Sequence, residues 1–367
     1  MTAEVKEKLK RVRTLMQAKK LDGILLTTVQ NFFWISGGKQ GFVDKSSESA
    51  TAKVLILENE QYAICNSSEQ YRVFDEELTD KTFKLIAYKW HEDEKKILQP
   101  YMEGKKIGSD TGIYGTIPMG PEIQELRYSL TPAEIKRYHE IGPECAGILE
   151  KAVRETKPGE TEFQAAGRVT SMLMAKGYQV PVCLVASDER ILKYRHPLPT
   201  AKKIGGSVLI AICGQKYGLT VSITRMAYFK AIPAEIRKKY DVLLNVDATY
   251  ILNTKVGVPS CEILKKGYEA YKAGGYGPDF DLHHQGGPLG YPTRDFCTKF
   301  CDDQKVVSNQ GYSWNPTIAG VKLEDTYIIR GNRQDIVSDT GKWVYRTVKI
   351  GAKSIRRPDI LVIRKRK

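Results

Sequence analysis

A six-residue stretch, PAEIKR at residues 132–137, returns as PAEIRK at residues 233–238. A second pair follows in the same order, with AKGY at residues 175–178 and AGGY at residues 273–276. The offsets of 101 and 98 residues are close enough to indicate one duplicated unit. Each unit is predicted to run helix, helix and then strands. Two such units packed about a pseudo-twofold axis would form a cleft at their junction, which is a natural place for a site.

The first copy of this unit opens with a helix start signal. In TPAE at residues 131–134, the threonine is a suitable N-cap, the proline takes the first helical position and the glutamate the third. A long helix through Leu149 is predicted to follow. A second helix is predicted over residues 162–176, and it ends at Gly177, a favourable C-cap residue.

The chain before this helix is predicted to form a small α/β domain, placed at residues 1–125, with a second domain at residues 126–367. Helical periodicity and short apolar runs carry this assignment. The predicted elements of the first domain are a helix at residues 5–19, a strand at 24–26, a hairpin of 54–57 with 62–65, and a strand at 106–108.

Composition excludes several classes of protein. Hydrophobic residues make up 41% and charged residues 27%, as in ordinary globular domains, and apolar runs such as residues 208–213 are too short to cross a bilayer. No secretory signal is predicted, and seven cysteines without framework spacing indicate reduced thiols, so we expect a cytoplasmic protein. Cys297 and Cys301 form the tightest pair and are predicted to be two packed thiols rather than half of a zinc site.

The net charge of +14 does not by itself predict a nucleic-acid partner. The positive residues are spread along the chain, and the dense basic run at residues 364–367 is interpreted as a solvated tail. No nucleic-acid recognition motif accompanies it, so nucleic acid is not an expected partner. The surplus charge could instead attract an anionic small molecule.

Four segments of the second domain are informative, and they follow in chain order. They are YRHPLP at residues 194–199, a predicted strand pair at 208–225 ending in SITR, HHQGGPLG at 283–290, and residues 314–326, which begin with WNP and end with LEDT. Together they resemble the creatinase, prolidase and aminopeptidase P family, and residues 31–38 of the first domain resemble its early strand and turn. The resemblance implies an α/β (α+β) fold, with a creatinase-like N-terminal domain followed by a duplicated "pita-bread" domain. It also implies a homodimer.

Typical peptidases of this family bind two divalent metals with two Asp, one His and two Glu. Carried over by position, these ligands fall on Ala211, Ser222, Gly287, Asn315 and Glu324. Only the last keeps a carboxylate, and no carboxylate at all lies between residues 189 and 235. Two dications need several anionic or imidazole ligands to offset lost hydration. The sequence therefore predicts a divergent member with no catalytic metal and no other cofactor.

Three residues are the predicted catalytic groups. His196 resembles the histidine that creatinase uses for proton transfer, and a pKa near neutrality suits that role. His283 resembles a family histidine that contacts substrate, whereas His284 is expected to point to the opposite face of a strand. Glu324 is predicted to hold a substrate nitrogen or act as a general base. Its alternative is a structural ion pair with Arg225 or Lys322.

Five further residues are candidates for substrate binding. Ser222, Gln285 and Asn315 could rebuild the emptied ligand positions as a hydrogen-bonded pocket, or pair among themselves and close it. Trp314 could provide a flat wall or simply belong to the core. Arg225 could hold a substrate carboxylate, although this position is more often scaffold in the family. Asp325 is expected to be structural, and His91 and His139 to lie on the surface.

Three hypotheses for function follow. The first is a metal-independent, creatinase-like hydrolase or lyase that breaks a carbon–nitrogen bond in a small amide, guanidino or amino-acid-derived substrate. The second is a non-catalytic relative that binds a peptide or protein, as the resemblance to the amino-terminal domain of a histone chaperone allows. The third is a metal-dependent Xaa-Pro peptidase with unrecognised ligands. An open pocket where the catalytic candidates converge favours an enzyme, and a plugged one favours a binder.

Overall fold

The computed structural model describes residues 1–364, so most of the basic run at 364–367 lies outside the described residues. The chain divides into a first unit of residues 1–133 with 217–219, and a second unit that holds the remainder. The first unit extends eight residues beyond the predicted boundary at residue 125. The guanidinium of Arg11 donates to the carbonyls of Leu126 at 3.1 Å and Ser129 at 2.6 Å, and this attaches the segment after residue 125 to the first unit.

The first unit is built on a six-stranded mixed sheet with strand order β4-β3-β2-β1-β5-β6. Leu25, Leu55 and Ile64 from three adjacent strands form its core. The predicted helix, buried strand and hairpin are confirmed. The elements are α1 (Ala3–Lys19), β1 (Gly23–Thr28), α2 (Val29–Ile35), β2 (Ser49–Leu57), β3 (Gln61–Asn66), β4 (Lys84–Tyr88), α3 (Glu94–Met102), β5 (Ile107–Ser109), β6 (Ile117–Pro118) and α4 (Gly120–Glu125).

The second unit holds two four-stranded sheets, with orders β10-β11-β14-β15 and β18-β9-β8-β7, and two small hairpins. Its elements are α5 (Pro132–Glu155), α6 (Glu162–Met174), β7 (Gln179–Ser187), α7 (Glu189–Lys193), β8 (Ser207–Lys216), β9 (Leu219–Tyr228), α8 (Ala234–Asn253), α9 (Ser260–Ala273), α10 (Gly277–Phe280), β10 (Gly286–Pro288), β11 (Gly311–Trp314), β12 (Thr317–Ile318), β13 (Val321–Lys322), β14 (Tyr327–Arg330), β15 (Arg333–Asp335), β16 (Tyr345–Ile350), β17 (Lys353–Pro358) and β18 (Leu361–Val362).

The order of these elements agrees with the predicted duplication. A long and a shorter helix, α5 and α6, precede the strands β7–β9, and the corresponding pair α8 and α9 precedes β10, β11 and β14. The first long helix begins at Pro132, as its capping signal predicts. Gly177 adopts φ +80°, the left-handed conformation in which glycine is favoured, and Tyr178 N–H bonds back to the Leu173 carbonyl at 3.1 Å. No helix within residues 1–364 is both long and apolar enough to span a membrane.

Backbone pairing brings three of the four family-like segments of the second unit together. The residue 324–326 segment runs beside β9, since Thr224 N–H donates to the Glu324 carbonyl at 3.1 Å and Ser222 N–H donates to Thr326 Oγ1 at 2.8 Å. On the other sheet β10 and β11 are antiparallel, with Gly286 opposite Trp314. Residues far apart in sequence therefore become neighbours along one wall.

A buried ion network lies behind this wall. Arg225 donates to Asp325 at 3.0 Å and to Glu150 at 3.4 Å, while Arg357 donates to Asp325 at 2.9 Å and also to Asp247. All five side chains are at most 4% exposed. The predicted substrate-binding role of Arg225 is therefore wrong, because its guanidinium is committed to two buried carboxylates. The structural role expected of Asp325 is confirmed.

Removing Asp325 should destabilise the protein strongly, because two buried guanidinium groups lose their shared acceptor. We expect Asp325→Ala to lower the free energy of unfolding by about 3–5 kcal/mol in urea titrations. The matched control is Asp241→Ala, which breaks the exposed Asp241–Arg346 pair and should cost about 0–1 kcal/mol. Equal losses in the two variants would contradict a stabilising role for the network.

Candidate active site

A cavity of about 210 Å³ lies in the second unit. Its wall carries the charged and titratable side chains His196, His284, Arg294, Lys322 and Glu324. They come from the loop after α7, the turn before β10, the loop after β10, strand β13 and the segment that follows it. The cavity is open to solvent, with His196 and His284 both exposed. Of the three predicted catalytic residues, His196 and Glu324 line this cavity and His283 lies directly behind it.

An ion pair between Arg294 and Glu324 occupies the centre of the site. Arg294 Nη2 donates to Glu324 Oε1 at 2.7 Å, and its Nη1 donates to Ser222 Oγ at 3.0 Å. The second carboxylate oxygen, Oε2, accepts from Thr224 Oγ1 at 3.0 Å. Both oxygens of Glu324 are therefore engaged. The ion pair that the sequence offered as the alternative role of Glu324 forms with Arg294 and not with Arg225 or Lys322. Arg294 was not predicted from the sequence, because the family-like motif of residues 283–290 ends at Gly290 and no role was assigned to the residues after it.

Lys322 is a second basic residue of the cavity wall. It is 5% exposed, and its Nζ lies 3.3 Å from His283 Nε2. Burial is the main influence that lowers the pKa of its ammonium, and nearby Arg294 acts in the same direction while Glu324 opposes it. This lysine is not in direct ion-pair contact with any carboxylate among the described residues.

Three imidazoles converge beside these basic groups. His283 Nε2 lies 2.9 Å from His196 Nε2, so one of these nitrogens donates to the other. The rings of His283 and His284 stack with centroids 4.5 Å apart. The expectation that His284 faces away is wrong, because residues 283 and 284 lie in the turn before β10, where strand alternation does not apply. His284 lines the cavity, whereas His283 is buried and contacts His196 and Lys322.

The surroundings keep these imidazoles neutral near pH 7. Burial and then Lys322 lower the pKa of His196, and the same two causes hold the pKa of His283 far below its ordinary value. Burial, followed by Arg294 and Lys322, lowers the pKa of His284 to about 4. A neutral imidazole has one nitrogen that accepts a proton, so each ring is in the state required of a general base.

The residues at the carried-over ligand positions do not fit a pair of dications. A Cβ at Gly287 would lie 2.6 Å from the Phe296 carbonyl oxygen and 2.9 Å from Thr298 Oγ1, so no ligand side chain has room there. Ser222 and Glu324 are instead hydrogen-bonded to a guanidinium. Anionic ligands are scarce at these positions, and the guanidinium of Arg294 places a positive charge beside two of them.

The three imidazoles lie close enough together to resemble a metal site, but their surroundings make them a poor site for a single cation. Their ligand atoms lie within 4.8 Å of one another. However, Lys322 Nζ lies 3.3 Å from the Nε2 atom of His283, and Arg294 lines the same small cavity. A bound dication would be repelled by both groups at short range.

The predicted substrate-binding residues divide into two groups. Asn315 lines the cavity, and Ser222 lies behind it in contact with Arg294. Gln285 is wrong as a pocket residue, because its amide bonds to Tyr271 and to the carbonyls of the preceding turn. Trp314 is also wrong, because it is 1% exposed and stacks on Tyr250 at 4.6 Å as part of the core.

Four other residues that the sequence singled out are two histidines and two cysteines, and one of the cysteines lines the cavity. His91 and His139 are exposed, as predicted. The expectation that Cys297 and Cys301 form a packed pair is wrong. Cys301 is exposed, and Cys297 is partly exposed and lies beside His284 on the cavity wall.

This fold agrees with what comparisons with known proteins show. Residues 136–331 match the profile of metallopeptidase family M24, and residues 8–125 match that of the creatinase/prolidase N-terminal domain. The M24 match covers more than half of the chain. The chain therefore belongs to metallopeptidase family M24, and it has a creatinase-like N-terminal domain followed by a pita-bread domain.

Individual relatives are distant. An Xaa-Pro dipeptidase from Pyrococcus horikoshii is 22% identical over 340 residues, which cover 89% of this chain and 95% of the relative. A prolidase structure from Thermococcus sibiricus superposes with a TM-score of 0.80 at 17% identity, covering 99% of this chain and all of that one. The N-terminal domain of the FACT subunit SPT16 from chickpea gives a TM-score of 0.69 at 12% identity, covering 92% and 97% of the two chains. The two structural likenesses establish the fold alone.

The lowered pKa of His284 makes stability depend on pH. For His284, the unfolded ring takes up a proton as the pH falls through about 6.5, whereas the folded ring does so only near pH 4. The free energy of unfolding should therefore fall as the pH drops through that window, and be fully retained above it. Urea unfolding at about pH 7 and about pH 5 measures this fall. We expect the free energy of unfolding of His284→Gln to fall less between the two pH values than that of the wild type. Parallel losses would contradict a depressed pKa for His284.

Proposed function

We propose that the protein is a hydrolase that cleaves a carbon–nitrogen bond in a small polar substrate without bound metal. Its relation to Xaa-Pro peptidases is shown by the family match, and the absence of a metal requirement is the part proposed. One observation carries it: the Arg294 guanidinium bonds Ser222 and Glu324, two positions to which the family's ligand set carries over. A permanent cation of the chain thus stands where the ligand set would hold metal.

A fixed cation can supply the electrostatic part of such a reaction. Attack on a carbonyl or guanidino carbon moves negative charge onto the atom double-bonded to it. Preorganised donors stabilise that charge without having to reorganise. Arg294 supplies a planar guanidinium with several N–H donors, and Lys322 is a donor whether its amine is charged or neutral. Glu324 holds Arg294 in place, so we assign it a positioning role instead of the general-base role predicted from sequence.

His196 is the best-placed group for proton transfer. It is exposed to the cavity, and its lowered pKa leaves it neutral and able to accept a proton near pH 7. The imidazolium formed in this way is a stronger acid than an ordinary one, which favours its giving the proton to the leaving nitrogen. The buried ring of His283, 2.9 Å away, fixes the orientation of His196 and is therefore a positioning residue.

A turnover assay with metal analysis tests the proposal. Purified protein, stripped with chelator and checked by elemental analysis, is incubated with guanidino compounds, small amides and Xaa-Pro dipeptides. We expect one of these classes to be hydrolysed, with a rate unchanged by chelator or by added zinc, manganese or cobalt. A rate that requires added metal would contradict the proposal and favour a metal-dependent peptidase. No turnover of any class by folded protein would favour the non-catalytic binder.

Replacing His196 should separate catalysis from binding. We expect His196→Ala to lower kcat by about 10²–10⁴-fold on the substrate identified above, because general acid–base catalysis is lost. The matched control is His139→Ala, an exposed histidine whose ring pairs with Asp335 at the surface, and it should retain wild-type kcat. An unchanged kcat in His196→Ala would remove His196 from the mechanism.

A further inference from the structure

The segment that follows β10 carries one thiol into the cavity and holds it there. Asp295 N–H donates to the Pro288 carbonyl at 2.9 Å, and Thr298 N–H donates to the Gly286 carbonyl at 2.9 Å. Cys297 lies between these two anchored residues. The segment packs so closely on β10 that a Cβ at Gly287 would meet the Phe296 carbonyl at 2.6 Å. The position of Cys297 is therefore fixed by backbone contacts on both sides.

The Cys297 thiol is paired with an imidazole. Its Sγ lies 3.5 Å from His284 Nδ1, within the range of a sulfur hydrogen bond, and both residues line the cavity. A neutral imidazole at this distance can accept the thiol proton as the sulfur attacks a substrate. Arg294 and Lys322 lie on the same wall of the cavity.

Five other cysteines lack this combination. Cys65, Cys145 and Cys213 are buried, and burial raises the pKa of each thiol. Burial also raises the pKa of Cys183. Cys301 is exposed, and its Sγ contacts the carboxylate of Asp302 at 3.9 Å. Cys297 differs from these five because it has an imidazole partner and also lines the cavity.

An unpaired polar group in the same wall indicates what the cavity binds. The amide oxygen of Asn315 belongs to a side chain that is 4% exposed, and it has no hydrogen-bond partner among the described residues. A buried acceptor of this kind is costly unless a donor reaches it. Asn315 lines the cavity that Cys297 also lines, and its amide is a polar group that a ligand bearing an N–H group would meet there. Amides and guanidines both carry such groups.

We propose that Cys297 is the nucleophile of the reaction, with His284 as its base, acting on the carbon of an N–H-bearing amide or guanidine. The inference rests on the proposed hydrolase function. The sulfur forms a bond to this carbon as its proton passes to His284, and the C–N bond then breaks as the leaving nitrogen takes up a proton. Water attacks the resulting thioester or isothiourea, the S–C bond breaks, and the thiol is restored. No oxidant, reductant or metal is consumed.

Alkylation by iodoacetamide tests the thiol without knowledge of the substrate. At about pH 7, we expect Cys297 to be alkylated at least about 10-fold faster than Cys301, as measured by peptide mass mapping over time. His284→Gln should slow alkylation of Cys297 about 10-fold and leave Cys301 unchanged. Cys301 is the matched control, because it lies four residues away in the same loop region. Equal rates at the two cysteines, or no effect of His284→Gln, would overturn the dyad.

Acyl transfer from p-nitrophenyl acetate tests nucleophilic attack directly. We expect a burst of nitrophenolate and the added mass of one acetyl group on Cys297, both absent in Cys297→Ser and both kept in Cys301→Ser. Acetylation elsewhere, or an unchanged burst in Cys297→Ser, would contradict the assignment. Circular dichroism and thermal melting of each variant verify that it is folded.

Turnover of the substrate found in the panel separates this inference from the proposed function. Cys297→Ser should lower kcat at least about 10²-fold, whereas Cys301→Ser should leave it unchanged. Metal-free turnover that survives in Cys297→Ser would overturn the nucleophile and leave the hydrolase intact. Turnover that appears only with added metal would instead overturn the proposed function itself.

Discussion

The ion pair between Arg294 and Glu324 determines the character of the whole cavity. A guanidinium that donates to Glu324 Oε1 and to Ser222 Oγ places a permanent positive charge among side chains that line a space of about 210 Å³. At such short range, that charge affects neighbouring equilibria. It opposes protonation of His284 and repels any cation that approaches the imidazoles.

Adjacent acidic residues have opposite roles because of the strand-like path of their segment. Glu324 directs its carboxylate to Arg294 and Thr224 at the cavity, whereas Asp325 accepts from Arg225 and Arg357 in the buried network behind it. Successive side chains of an extended segment point to opposite sides. One extended segment therefore contributes a carboxylate to the cavity and the next carboxylate to the buried network. The network holds the segment from behind, and the cavity-facing carboxylate is thereby fixed in position. The charged site therefore depends on a rigid support that never contacts substrate.

Some features of the site were readable from sequence and others were not. The loss of ligands at Ala211, Ser222 and Gly287 could be read from position along the chain, because each lies in a segment with a recognisable neighbour pattern. Arg294 could not be assigned, because nothing local shows that a guanidinium after Gly290 reaches back to Ser222, 72 residues earlier. Trp314 and Gln285 lie next to carried-over ligand positions, yet their side chains point into the core, which only packing reveals.

The sequence by itself determined the two-domain order, the duplicated helix pairs and the scarcity of carboxylates, because these follow from local signals: capping residues, apolar periodicity and composition. The tertiary structure decided which charges meet. The placement of Arg294 on Glu324, of Lys322 beside His283 and of Cys297 beside His284 depends on pairings between segments 13 to 39 residues apart along the chain. Contacts over such distances are set by sheet register and core packing, and neither is encoded in any single stretch of residues.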